Sequence, residues 1–462
     1  MSASSSIDEI NVCPPLGRTA ALGIQHLLVM YAGAVTVPLI VGGALKLPSE
    51  QIAMLINADL LCCGLISILQ SLGIGKWIGI RLPVMMGVSY AGIAPMIAIA
   101  FSPDLGLPGL YGAIIGAGLI CLLLVPFIIR VLPLFPPLVT GATLLALGTS
   151  LLGVAITWAG GGYGAEDFGH PFYIGIAALV LAVTLLAARF GRGFIGNIAI
   201  LIGIAAGTLV AFLFGDVHFS GIETTPWVAM VKPFQFGMPT FDPMAIITMT
   251  LVVVITMVES IGLFFSLGEI LGRKISRDEF TRGLRADALG ATIGGIFNTF
   301  PYTSYAQNIG LVGITGVRSR YVCVASGIFL IMLGLLPKLA HIVASIPHYV
   351  LGGAAIAMFG MVAGSGVRIL QSVDFRRNRH NTLILAISLG VGMIPTMSPK
   401  FFDAFPHFLT PLLHSGVLLT VITAMILNVL FNGTRELQAE DVHSAGMDAS
   451  PVTLAPQSHQ PH

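Results

Sequence analysis

The sequence predicts an all-α polytopic membrane protein of fourteen transmembrane spans; if each half holds seven of them, the second enters the membrane inverted, as a 7+7 inverted repeat. Three observations lead there. Of 462 residues only 9% are charged while 55% are hydrophobic, against about a quarter charged in a soluble globular chain. Lys and Arg gather on one side of the connections between apolar runs. Two apolar runs, near 83–102 and 301–317, are broken by proline, glycine and hydroxyl side chains at matching places. Such a pair in two halves of a chain is the sequence mark of a secondary transporter's binding site.

Taken in order, the polar segments 1–18 and 434–462 read as cytoplasmic, disordered tails, having little that could pack. Spans are expected near 19–42, 51–73, 83–102, 109–129, 136–157, 171–189, 194–214, 243–268, 285–298, 301–317, 321–341, 347–368, 381–397 and 411–431. Several are shorter than the roughly 20 residues that a straight spanning helix needs. With both termini inside, all but four of the 22 Lys and Arg residues fall on the cytoplasmic side, the exceptions being Lys46, Lys232, Lys338 and Lys400. Short cytoplasmic loops are enriched in these residues, so the distribution supports the count. The longest outer connection, about 215–242, joins the halves.

The formal charge of +1 argues against nucleic acid as a partner. Five cysteines without a CxxC spacing indicate neither a disulfide framework nor a zinc site. No HExxH, P-loop or GxSxG stands in a credible context, so an enzyme is not expected and no cofactor is called for.

The stretch 299–316 carries no charge, yet holds Pro301, four consecutive hydroxyl side chains from Tyr302 to Tyr305, and several glycines. Irregular chain at membrane depth survives only where protein covers it or where it lines a polar cavity. It therefore reads as the wall of a solute site. Pro83 is followed six residues later by Ser89, as Pro301 is by Gln307. Gln307 and Asn308 open a short helix whose N-terminal N–H groups favour an electron-rich ligand edge. A side-chain amide offers both donor and acceptor to a lactam edge; capping alone is the plainer alternative. Tyr90 and Tyr305 are placed to stack on a flat ring, although aromatics at membrane depth more often serve packing.

Ionisable side chains inside spans cost on the order of 3 kcal/mol each at a helix centre and so are functional candidates. They are Glu259, Asp287, Asp59 and His26. Glu259 follows an uninterrupted apolar run, reads as the deepest, and can accept two N–H donors from a planar heterocycle or hold a transported proton; a helix–helix hydrogen bond is the alternative. Asp287, at the start of a short span beside Arg285, suits either an interfacial ion pair or coupling. Asp59 reads first as a structural bond between helices, and His26 as packing or site.

Gln307-Asn308-Ile309-Gly310 followed by Thr315-Gly316 matches the signature Q-N-x-G-x(4)-T-[RKG], and over 19–431 the sequence resembles the nucleobase-ascorbate transporter family, also called nucleobase:cation symporter-2. The resemblance implies short antiparallel strands in spans 3 and 10. It implies a transporter domain over 19–433, with a core domain of spans 1–4 and 8–11 (about 19–130 and 243–342) and a gate domain of spans 5–7 and 12–14 (about 131–215 and 346–432). It also implies a homodimer in the inner membrane that moves a nucleobase with protons by an elevator-like shift. By the same resemblance Glu259 and Gln307 clamp the base, Tyr90 and the backbone near Ala306 contact it, and Asn308, Asp287 and His26 shape affinity or coupling.

Asn298 to Thr303 and the run Gly268 to Lys274 look most like bacterial uric acid and xanthine permeases. Leu263 stands where many relatives carry an acid, and Ser89 where xanthine-selective relatives tend to have Asn. The expected cargo is uric acid, then xanthine; a same-fold transporter of uracil, another nucleobase or an anion is the rival.

Overall fold

The computed structural model describes residues 9–131, 134–162, 164–192, 194–217, 222–223, 225–406 and 409–433. Expected tail residues 1–8 and 434–462 lie outside the described residues. Residues 9–15 do not hang free: Ile10 is buried, Glu9 pairs with Arg318 at 3.4 Å, and Ser319 Oγ donates to the Val12 carbonyl at 2.7 Å.

The main helices are α1 (Leu16–Ala44), α2 (Ser49–Leu72), α3 (Ile93–Phe101), α4 (Gly106–Val131), α5 (Pro137–Ala159), α6 (Pro171–Phe190), α7 (Ala199–Leu213), α8 (Pro243–Leu271), α9 (Arg277–Ile296), α10 (Ala306–Thr315), α11 (Arg320–Gly334), α12 (Pro337–Ala344), α13 (His348–Leu370), α14 (Arg379–Met397) and α15 (Gly416–Asn432). Among the described residues eight helices are long and apolar enough to cross a membrane, or nine if α11 and α12, bent by 80°, form one broken span. Shorter apolar helices cover Tyr90–Phe101, Ala199–Leu213 and Gly416–Asn432.

Local chemistry sets the ends. Asp242 caps α8 by accepting from Ala245 N at 2.8 Å, Pro243 fills the first helical position, and Gly272 at φ 67° stops it. Ser276 and Glu279 form a capping box at the start of α9. The span expected at 285–298 is thus the second half of a helix that begins at Arg277. Hydropathy misses its charged first turns, and Asp287 sits mid-helix, not at its start.

Two short strands interrupt the helices, β1 (Met86–Val88) and β2 (Tyr302–Ser304). They pair antiparallel, Met86 with Ser304, Gly87 with Thr303 and Val88 with Tyr302, and Ser89 N extends the ladder to the Pro301 carbonyl at 2.9 Å. Each strand hands over to a helix, β1 through a 3₁₀ turn at Tyr90–Gly92 into α3, and β2 directly into α10. Their backbone groups are satisfied partly by one another and partly by serine hydroxyls of neighbouring helices, as burial without water demands.

The helices sort into two packed groups around this pair. In one, α2 packs on α11, α4 on α9 and α8, and α1 on α11. In the other, α5 packs on α13, α14 on α15, and α6 on α7 and α13. Small residues set both contacts. A Cβ on Gly64 would strike the Gly327 carbonyl, one on Gly148 the Ala363 backbone, and one on Gly352 the Ala159 backbone.

Candidate solute site

The strand pair is gripped from two sides. From α2, Ser67 Oγ accepts from Met86 N at 2.8 Å and Ser71 Oγ donates to the Val84 carbonyl at 3.0 Å, holding β1. From α8, Ser260 Oγ accepts from Ser304 N at 3.1 Å, and Thr303 Oγ1 donates to the Thr256 carbonyl at 3.3 Å, holding β2. Thr256 and Ser260 lie one helical turn apart and face the strand. Glu259, in the same turn, reaches Thr303 of β2 and lines a cleft beside it.

That cleft lies on the seam between the two helix groups. Ile255, Val258 and Glu259 of α8 with Ala91 face Phe135, Thr143 and Leu147 at or on α5, and Val421 of α15 closes one end. Glu259 is the one acid lining it, and the residue as a whole is half-buried. The cavity volume is about 20 Å³, room for about one water molecule.

The other two acids do not line the cleft. Asp59 and Asp287 are wholly buried while Glu259 is not. Asp59 Oδ1 accepts from the Tyr302 hydroxyl at 2.9 Å and its Oδ2 faces Cys63 Sγ at 3.6 Å, so it ties α2 to β2, as its structural reading held. Asp287 Oδ1 accepts from Gln70 Nε2 at 3.1 Å, and Gln70 also donates to the Gly283 carbonyl and accepts from Ile80 N at 3.0 Å. Asp287 Oδ2 has no partner among the described residues. No ion pair of Asp287 with Arg285 occurs among the described residues.

His26 and Asn308 form a single buried unit. Asn308 Nδ2 donates to the His26 carbonyl at 2.8 Å and faces His26 Nδ1 at 3.1 Å, which assigns the imidazole proton to Nε2. Asn308 Oδ1 is left without a partner among the described residues. Its neighbours on the first turn of α10 point the other way: Ala306 and Gln307 are exposed, and no side chain caps that helix start. An uncapped N-terminus next to a free amide can take an acceptor and return a donor.

Ser89 is buried and its Oγ accepts from Ala91 N at 3.2 Å, capping the 3₁₀ turn. Tyr90 is half-buried, donates to the Gly33 carbonyl at 3.1 Å, and meets Phe359 of α13 edge-on at 5.5 Å. Tyr305 does not stand open for stacking. It is buried, its hydroxyl reaches the Val88 carbonyl at 3.4 Å, and its ring lies on Gly87 and Gly33. Of the expected site residues, then, Glu259 lines the cleft, Tyr90 adjoins its lining residue Ala91, and Gln307 and Ala306 are exposed on a helix that packs against α8. Ser89, His26, Asn308 and Asp287 sit behind.

Phe135 and Thr143 opposite Glu259, and Gln70 beneath Asp287, escaped the sequence reading. A lone glutamine within an apolar run was a visible signal for Gln70. No signal singles out Phe135, which meets Glu259 only through the packing of α5.

A permease family profile, Xan_ur_permease, matches residues 17–401. The uric acid transporter UacT of Escherichia coli (strain K12) is 52% identical over 426 residues, 92% of this chain and 88% of that one. The chain belongs to the nucleobase-ascorbate transporter family. Another relative in it, a xanthine permease of Bacillus subtilis (strain 168), is 41% identical over 416 residues, 90% of this chain and 94% of that one.

Two solved structures share the fold of this nucleobase-ascorbate transporter family member. The transmembrane domain of the cyanobacterial bicarbonate transporter BicA aligns with TM-score 0.58 at 15% identity, over 89% of this chain and 96% of that one. Murine Slc26a9, an anion transporter in the inward-facing state, aligns with TM-score 0.60 at 11% identity, over 93% of this chain and 70% of that one. The chain is a multi-pass membrane permease.

Proposed function

We propose that the chain is a proton-coupled symporter that imports an oxidised purine, uric acid first and xanthine second, across the inner membrane. The observation that carries this reading is the place of Glu259: the one acid in a cleft on the seam between two helix groups, on a helix that also grips β2. A purine edge presents adjacent N–H donors, which a carboxylate accepts in pairs. Gln307, Ala306 and Tyr90 complete the site from neighbouring elements. Asp287 and the His26–Asn308 unit tune affinity or coupling from behind.

The group built on α1, α2, α4, α8, α9 and α11 is the core, and the group on α5, α6, α7, α13, α14 and α15 is the gate. Opening the seam by sliding core along gate is an elevator-like motion, and the tightness of the cleft supports it. Fourteen spans in two inverted halves, cytoplasmic termini and a homodimer complete the proposal; the distribution of Lys and Arg supports the topology. The test is uptake of radiolabelled urate, xanthine and uracil into cells without their own permeases. Urate and xanthine uptake that collapses with a protonophore is expected; uracil uptake alone, or none, overturns the reading.

Cargo preference has its own test. Asn caps a turn as well as Ser does, so Ser89→Asn keeps the bond to Ala91 N while adding bulk beneath the turn of Tyr90 and Ala91, against which we propose the imidazole edge of urate lies. One lost hydrogen bond or a mild clash corresponds to roughly ten- to a hundredfold. Competition against labelled xanthine should show urate weakened by that factor relative to xanthine. An unchanged ratio removes Ser89 from selectivity.

A further inference from the structure

We infer that a second ligand site, apart from the Glu259 cleft, lies beneath the segment joining the two halves, and that it takes a flat heterocycle bearing N–H donors. The cavity holds about 250 Å³, with Asn57 of α2 as its floor, Glu50 and His341 beside it, and Met230 and Gln235 in its roof. It shares no lining residue with the cleft.

The roof is built, not draped. Ala229 N donates to the Leu335 carbonyl at 3.1 Å, and the Lys338 ammonium lies 4.5 Å from the Trp227 ring centroid. At the other end Phe234 N donates to the Ile296 carbonyl at 2.9 Å, and Gln235 N to Asn298 Oδ1 at 2.5 Å. Phe234 and Asn298 both sit at positive φ, 55° and 60°. A side chain persists in that region only where its surroundings hold it. The same two hydrogen bonds do so here and fix the height of the roof over α2.

The floor asks for a donor. Asn57 is 5% exposed, lines the cavity, and its Oδ1 has no partner among the described residues. A buried amide oxygen in that state is destabilising until an N–H or O–H reaches it. Glu50, exposed at the mouth, adds an acceptor and a negative charge that disfavours anions. Met54, Val231, Pro226 and Pro337 supply apolar walls suited to the faces of a ring. Acceptors at the base between apolar walls suit a neutral ring with N–H groups, such as xanthine, better than the urate anion.

Every wall belongs to α2, α12 or the joining segment, which is bonded to the chain ends of α9 and α11. None comes from α5, α13 or α15. The cavity therefore keeps its shape whether the seam at Glu259 is closed or open, and it is a standing site on one helix group, not a stage in the passage between the two.

The experiment uses purified protein carrying Cys13→Ser, Met230→Cys and Glu259→Gln. Cys13 is the exposed cysteine among the described residues, and Met230 is 83% exposed, so the new thiol is the reporter. Xanthine should slow its alkylation, urate should do so less, and adding Asn57→Leu should raise the xanthine concentration needed about tenfold without changing the rate in its absence. No protection by xanthine means a cavity that holds water only, and protection indifferent to Asn57→Leu means binding that does not use the Asn57 amide; either result overturns the inference. Because Glu259→Gln disables the cleft, that failure is separate from failure of the transport reading, which uptake by the unaltered chain decides.

Discussion

Replacing Glu259 by Gln should bring purine uptake close to background while the protein remains in the membrane at its normal level. Gln has nearly the same shape and keeps one acceptor oxygen, so the packing against Ile255 and Val258 is preserved. The negative charge, the second acceptor and the titrating group all go. Each hydrogen bond to a charged group is worth about 1.5–3 kcal/mol, so losing the paired interaction with two ring N–H groups costs at least a hundredfold in affinity. No cation is paired with Glu259 among the described residues, so no freed partner confuses the result. Measurement is initial-rate uptake beside quantified surface protein, with equilibrium binding on purified protein as a second readout. Near-normal, proton-driven uptake would remove Glu259 from both binding and coupling.

Gly87→Ala should be almost as damaging, through a single methyl group. Gly87 is the central residue of β1, opposite Thr303, and a Cβ there would fall within the Tyr305 ring. The ring's far edge lies close to the Gly33 backbone, which limits its retreat. Tyr305 is also the residue that precedes α10, so displacing its ring moves the helix start that presents Ala306 and Gln307. Overpacking of this kind costs about 1–3 kcal/mol, and the shift at the first turn adds lost binding geometry. Uptake should fall at least tenfold, mainly as a raised KM. Gly390→Ala is the control, since a Cβ there meets nothing within 4 Å and the residue lies on α14, away from the site. Equal behaviour of the two variants would show that the glycine–tyrosine contact does not position the site.

Composition alone determined that this chain lives in a bilayer, since 9% charge cannot cover a soluble surface of this size. The interrupted stretches were also visible, because proline, glycine and consecutive hydroxyls are poor helix formers wherever they occur; both became strands that turn into helices. The family signature and the isolated Glu259 were legible for the same reason: each is a local property of a few neighbouring residues. What pairs with what was not. Asp59 meets Tyr302 243 positions away, His26 meets Asn308 282 positions away, and Gln70 meets Asp287 217 positions away. A buried polar atom is satisfied by whichever partner packing brings within about 3 Å, and nothing in the periodicity of either segment names that partner. Only the tertiary structure could therefore decide that Asp287 and His26 stand behind the strand pair, that the Tyr305 ring is spent on two glycines, and that Glu259 faces Phe135 and Thr143 across a seam.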